Sequence, residues 1–111
     1  MDRLDAAAFD GERLTRPGTW VVAFSADWCP ICRMFLPKFA SLDDRGSFRT
    51  AVADVTSDDS PLWETFQVDV VPTLVVFRDG QVIYREDGTL GRGLPESSLL
   101  RAAAAATSPR A

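Results

Sequence analysis

Residues 26–33 read Ala-Asp-Trp-Cys-Pro-Ile-Cys-Arg and hold both cysteines of a 111-residue chain that contains no histidine. Residues three apart are neighbours on one side of a helical turn, so Cys29 and Cys32 are predicted to form a working dithiol that closes reversibly into a disulfide. Pro30 disfavours helical geometry for the residue before it and suits the first helical position. Cys29 is therefore predicted as the helix N-cap, its sulfur facing the N–H groups of Ile31 and Cys32 and the positive end of the helix. Cysteines in such places ionise between roughly 3.5 and 7.5 instead of ~8.5, which makes Cys29 the predicted nucleophile. Cys32, one turn in and facing the sheet, is predicted to resolve the mixed disulfide that Cys29 forms. With no imidazole in the chain, a Cys-His arrangement is excluded, and the helix terminus has to supply the activation. Arg33 either adds positive charge to the site or is solvated surface.

Other uses of two cysteines are weaker. A structural zinc needs four ligands, so this chain would need a second copy or carboxylates. A purely structural disulfide closing so small a loop restricts the unfolded chain little. No metal is expected, and no cofactor beyond the Cys29–Cys32 pair itself. The formal net charge of −4, with no two Lys or Arg side by side, lacks the basic footprint of a nucleic-acid binder. The first twenty residues hold no apolar run of signal-peptide length and nothing later reaches membrane-spanning length. A cytoplasmic protein without membrane insertion is expected, and there a paired Cys is more often catalytic or metal-bound than structural.

The elements that position the dithiol follow from periodicity and turn chemistry. Length and ordinary globular composition predict one domain over residues 1–111. Leu4, Ala7, Ala8 and Leu14 fall at helical spacing, so a short amphipathic helix capped by Asp5 is predicted over residues 4–14. Thr19 to Ser25 is an apolar, β-branched run that suits a strand buried on both faces. A helix is predicted from Pro30 to Asp44, kinked at Pro37 and ended by the cluster Asp43 to Ser47. A strand over Phe48 to Thr56, a short helix over Ser60 to Phe66, and strands Thr73 to Phe77 and Gln81 to Arg85 follow. Asp79-Gly80 between the last two predicts an antiparallel hairpin. Pro95 to Ala106 is predicted as a closing helix, with Thr107 to Ala111 frayed. This order implies a mixed sheet with helices on both faces.

Trp28-Cys29-Pro30-Ile31-Cys32 resembles the Trp-Cys-x-x-Cys site of the thioredoxin superfamily, and Phe24, Ala26, Pro37, Val71-Pro72-Thr73, Phe77, Gly80 and Gly88 stand where that family's pattern places them. The resemblance covers nearly the whole chain. It implies a thioredoxin-like α/β fold with a central mixed sheet of about four strands, the amino-terminal strand short or missing. It implies a cis Val71–Pro72 bond, Pro72 packed against the dithiol, and a Val71 backbone that pairs with an extended substrate segment. Trp28, Pro30, Ile31, Val71, Pro72 and Gly88 would then form a flat, apolar docking surface around Cys29. The implied activity is reduction of disulfide-containing protein substrates by a monomer recharged from an upstream reductase or other thiol donor.

The chain also departs from that pattern. Pro-Ile replaces the familiar Gly-Pro between the cysteines, and potentials in the family span about 150 mV, so the direction of transfer rests on compartment, which favours a reductant. Ala23 stands where the family has a buried Asp, and Asp54 stands where its Lys partner sits. Asp54 is expected to take over as the base that accepts the Cys32 proton, with the raised pKa of a buried carboxylate. Ala-Asp-Trp-Cys together with Val-Thr-Ser-Asp-Asp also looks like the soluble domain of transmembrane thiol reductases. An inert-disulfide binding or chaperone module, and an oxidase or isomerase, are the remaining alternatives.

Overall fold

A computed structural model describes residues 1–42 and 46–108. In chain order the elements are β1 (Asp2–Leu4), a 3-10 turn (Ala6–Ala8), β2 (Phe9–Asp10), β3 (Arg13–Leu14), β4 (Thr19–Ser25), α1 (Pro30–Ala40), β5 (Arg49–Asp54), α2 (Leu62–Thr65), β6 (Thr73–Arg78), β7 (Gln81–Asp87) and α3 (Glu96–Thr107). Among the described residues the main sheet has five strands in the order β1-β5-β4-β6-β7, parallel from β1 through β4 and antiparallel from there to β7. The mixed α/β architecture is as predicted. The strand count is one higher, because the amino-terminal strand exists, three residues long, and pairs with β5 through Asp2↔Ala51 and Leu4↔Ala53.

The helix predicted over residues 4–14 is not formed. Leu4 pairs in β1, Asp5 caps only a 3-10 turn by accepting the Ala7 N–H at 2.9 Å, and β2 and β3 fold into a two-stranded ribbon. The reason is tertiary. Phe9 packs its ring at 5.3 Å from Phe66 and within 6.2 Å of Phe24 and Phe77, which outweighs the weak helical preference of a short segment.

β4 is the middle of the sheet and is predicted to the residue. Alternation along it sends Val22 and Phe24 to one face with Leu14, Leu62, Phe66 and Phe77, and Val21 and Ala23 to the other with Phe35 and Phe39 of α1 and Leu99 and Ala102 of α3. α1 and α3 thus cover one face, and α2 with the amino-terminal ribbon covers the other. α1 stops at Ala40, four residues short of the predicted end, where Ser41 donates its backbone N–H and its hydroxyl to the Lys38 carbonyl. Asp43, Asp44 and Arg45 of the predicted stop signal, and most of the tail beyond Thr107, lie outside the described residues. The predicted β6–β7 hairpin forms through Asp79 at φ 50° and Gly80 at φ 89°, the pair of positive values that a tight two-residue turn requires.

Candidate active site

β4 and β5 run parallel and end together at Ser25 and Asp54, so the segments that follow them open at one edge of the sheet. Residues 26–29 make a tight turn closed by the Cys29 N–H on the Ala26 carbonyl at 3.2 Å. Cys29 then caps α1 with extended backbone (φ −95°, ψ 109°), Pro30 takes the first helical position, and the Cys29 Sγ accepts the Cys32 N–H at 3.1 Å. A sulfur here does what Ser or Thr oxygen does at an ordinary N-cap.

Both cysteines are free thiols. They differ in depth, Cys29 retaining 6% of its surface and Cys32 none. Burial pushes the Cys32 thiol up to about 11, with hydrogen bonding to Cys29 adding to the rise and the Ala26 backbone and Ser25 side chain pulling more weakly the other way. Ser25, buried at the end of β4, is a neighbour of the dithiol that sequence reasoning missed; an alternating strand gives no sign of which polar residue lies under a distant sulfur.

The Val71–Pro72 bond is cis, as expected, and Thr73 closes its turn by donating its hydroxyl to the Val70 carbonyl at 2.7 Å. The Val71 carbonyl lies 3.7 Å from the Cys29 Sγ, which donates to it. Gly88 abuts this segment so closely that a Cβ on it would run into the Pro72 carbonyl. Gly93, not singled out from sequence, stands the same way against the Ile31 side chain. Trp28 is 53% exposed, its indole N–H on the Thr56 carbonyl at 2.9 Å and its ring stacked on Trp63 at 6.4 Å. Pro30 is exposed and Ile31 and Gly88 half-buried, whereas Val71 and Pro72 are buried. The expected apolar surface is therefore open on the Trp28 side and closed at the cis-proline segment. Beyond Ile31 it continues into a shallow groove of about 320 Å³ lined by Met34, Phe35, Arg92 and Leu94.

Asp54 is corrected. Burial raises its carboxyl, but the hydroxyl and N–H of Thr56 and the charge of Arg3 together outweigh burial and hold it below the ordinary carboxylate range. Its Oδ1 accepts from the Thr56 hydroxyl at 2.5 Å and the Thr56 N–H at 2.9 Å, and its Oδ2 lies 3.5 Å from Arg3. An anion so satisfied is a poor proton acceptor, contrary to the elevated base expected of it. Arg33 donates to the Asp27 carbonyl at 2.9 Å, so its guanidinium is tied to the loop ahead of the dithiol. Among the described residues no three His, Cys, Asp or Glu side chains converge as a metal set.

The Thioredoxin family model matches residues 2–100. The chain is 32% identical to a thioredoxin of Rhodospirillum rubrum over 91 residues, 81% of this chain and 88% of that one. It is 32% identical to a thioredoxin of Mycobacterium bovis over 87 residues, 78% and 75% of the two. A mutant thioredoxin from Halobacterium salinarum superposes with a TM-score of 0.69 at 27% identity, covering 87% of this chain and 81% of that structure.

Proposed function

This chain belongs to the thioredoxin family, and from that premise we propose that it is a thiol-disulfide oxidoreductase that reduces disulfides in protein substrates through the Cys-Pro-Ile-Cys dithiol. The observation that carries the reading is the Cys29 Sγ at the N-cap of α1, accepting the Cys32 N–H at 3.1 Å and lying 3.7 Å from the Val71 carbonyl. The helix terminus stabilises negative charge on that sulfur, and the exposed Trp28 offers a substrate an apolar footing beside it.

The Cys29 thiolate attacks one sulfur of the substrate disulfide, forming a mixed disulfide while the substrate's other sulfur leaves as a thiolate and takes up a proton. Cys32 then attacks the Cys29 sulfur, its proton passing to the departing substrate sulfur; the mixed bond breaks, Cys29–Cys32 closes and the second substrate thiol is freed. Two electrons pass to the substrate. The two sulfurs are themselves the electron carrier, and a dithiol donor upstream resets them by the same exchange in reverse. We place this cycle in the cytoplasm, where the donor pool is reducing.

Turbidimetric insulin reduction with dithiothreitol tests the reading. Wild type accelerates precipitation, Cys29→Ser does not, and Cys32→Ser accumulates a covalent adduct with the substrate that runs as a higher-mass band without reductant. Wild type that leaves the uncatalysed rate unchanged ends the proposal.

A further inference from the structure

Resting on the reading above, we propose that Thr56 is a positioning residue for the dithiol: its hydroxyl, aimed by Asp54, fixes Asp27 and thereby the segment that delivers Cys29. Asp27 lies two residues before Cys29 and is exposed, yet its N–H, one carboxylate oxygen and its carbonyl are each held. Its N–H donates to the Thr56 Oγ1 at 2.9 Å, its carboxylate accepts from Arg3 at 3.0 Å, and its carbonyl accepts from Arg33 at 2.9 Å. The first hold comes from beyond the end of β5, the second from β1 and the third from the first turn of α1, so one loop residue is triangulated by three separate elements.

The polarity of the chain of bonds explains why a hydroxyl stands at residue 56. A hydroxyl has one proton and two lone pairs. Thr56 spends its proton on Asp54 at 2.5 Å, which turns a lone pair toward the Asp27 N–H. The Thr56 N–H also donates to Asp54, and its carbonyl takes the Trp28 indole. Asp27 and Trp28 thus both rest on a single residue nearly thirty positions away. Asp54 is charged through the neutral range because its carboxyl is held low, and bonds to an ionised partner are the stronger and shorter ones. The carboxylate first expected to move a proton is placed to orient a loop.

Thr56→Val removes the hydroxyl while keeping the branched shape and both backbone groups; Thr56→Ser restores it. In Thr56→Val, exchange of the Asp27 amide proton accelerates, and kcat for insulin reduction falls about tenfold with KM within about twofold, whereas Thr56→Ser stays near wild type. Asp54→Asn, the second arm, lowers kcat by the same factor at both ends of a pH 6 to 9 series. Full kcat in Thr56→Val, unchanged exchange at Asp27, or a loss in Asp54→Asn that varies with pH would each overturn the proposal. Wild type without reductase activity would defeat the functional reading instead, and the exchange comparison would still test the hold on Asp27.

Discussion

Cys29 and Cys32 differ in depth by a few per cent of exposed surface, and at this site that sets different tasks. An unfolded Cys32 ionises at its ordinary 9.0, whereas the folded thiol is pushed to about 11 by burial and then by Cys29. The protonated form is favoured by folding, so this stabilisation is complete below pH 9 and is lost as pH rises through about 11. Reduced wild type is expected to lose urea resistance over that window, and Cys32→Ala to lose less of it, as denaturation midpoints at the two ends of the range will show. Gly88 carries a second expectation. A methyl there meets the Pro72 carbonyl, a backbone atom with little room to yield, so Gly88→Ala is expected to cost about 1–3 kcal/mol by chemical denaturation and to slow insulin reduction by moving the cis-proline segment. The dithiol and its N-cap were legible because they rest on adjacent residues and on the restrictions that Pro30 imposes on Cys29. Asp54 was expected as a raised base because burial alone was weighed; the Thr56 hydroxyl and N–H two residues on, and then Arg3 some fifty positions away, outweigh it.

Elements that could be read locally were read well. β4 declares itself by an unbroken apolar run, α1 by Pro30, and the β6–β7 hairpin by Asp-Gly, each a signal contained within a few residues. The segment 4–14 has the spacing of a helix, but its structure is decided by pairing with β5 and by the aromatic cluster that receives Phe9, both distant in sequence. The join of α3 to β7 is also non-local. Glu86 accepts from Tyr84 at 2.6 Å, Ser98 at 2.6 Å and Arg101 at 2.6 and 3.0 Å. Hydrogen bonding from Arg101 leads these in holding its carboxyl down at about 2, against an ordinary 4.5. Its folded pKa being depressed, the stabilisation is full above pH 4.5 and is lost as pH falls toward 2. Thermal melts across that acid range are expected to drop for wild type, whereas Glu86→Gln starts lower and changes less, with the first turns of α3, which carry Ser98 and Arg101, the first part to loosen.

Over the whole molecule, stability is centred on β4, which is flanked on both sides and buried on both faces. Amides of Val21 to Phe24 and of Leu74 to Val76 are expected to exchange only through global unfolding, and those of the short β1 through local opening; native-state exchange in rising denaturant separates the two. Phe24, fully buried against Phe9 and Phe66, is expected to cost about 3–5 kcal/mol on substitution by Ala, read as a shifted denaturation midpoint. No helix among the described residues is long and apolar enough to cross a membrane.

The stacked rings of Trp28 and Trp63 have a practical consequence. Sulfur in a disulfide quenches excited indole, and Trp28 is bonded directly to the residue that changes state. The third tryptophan, Trp20, sits at the far end of β4 between the guanidinium groups of Arg16 and Arg49, away from that quencher. In the cycle proposed above, ultraviolet emission from the indole pair is expected to fall when Cys29–Cys32 closes and to rise when it opens, with Trp20 as an internal reference and no label attached.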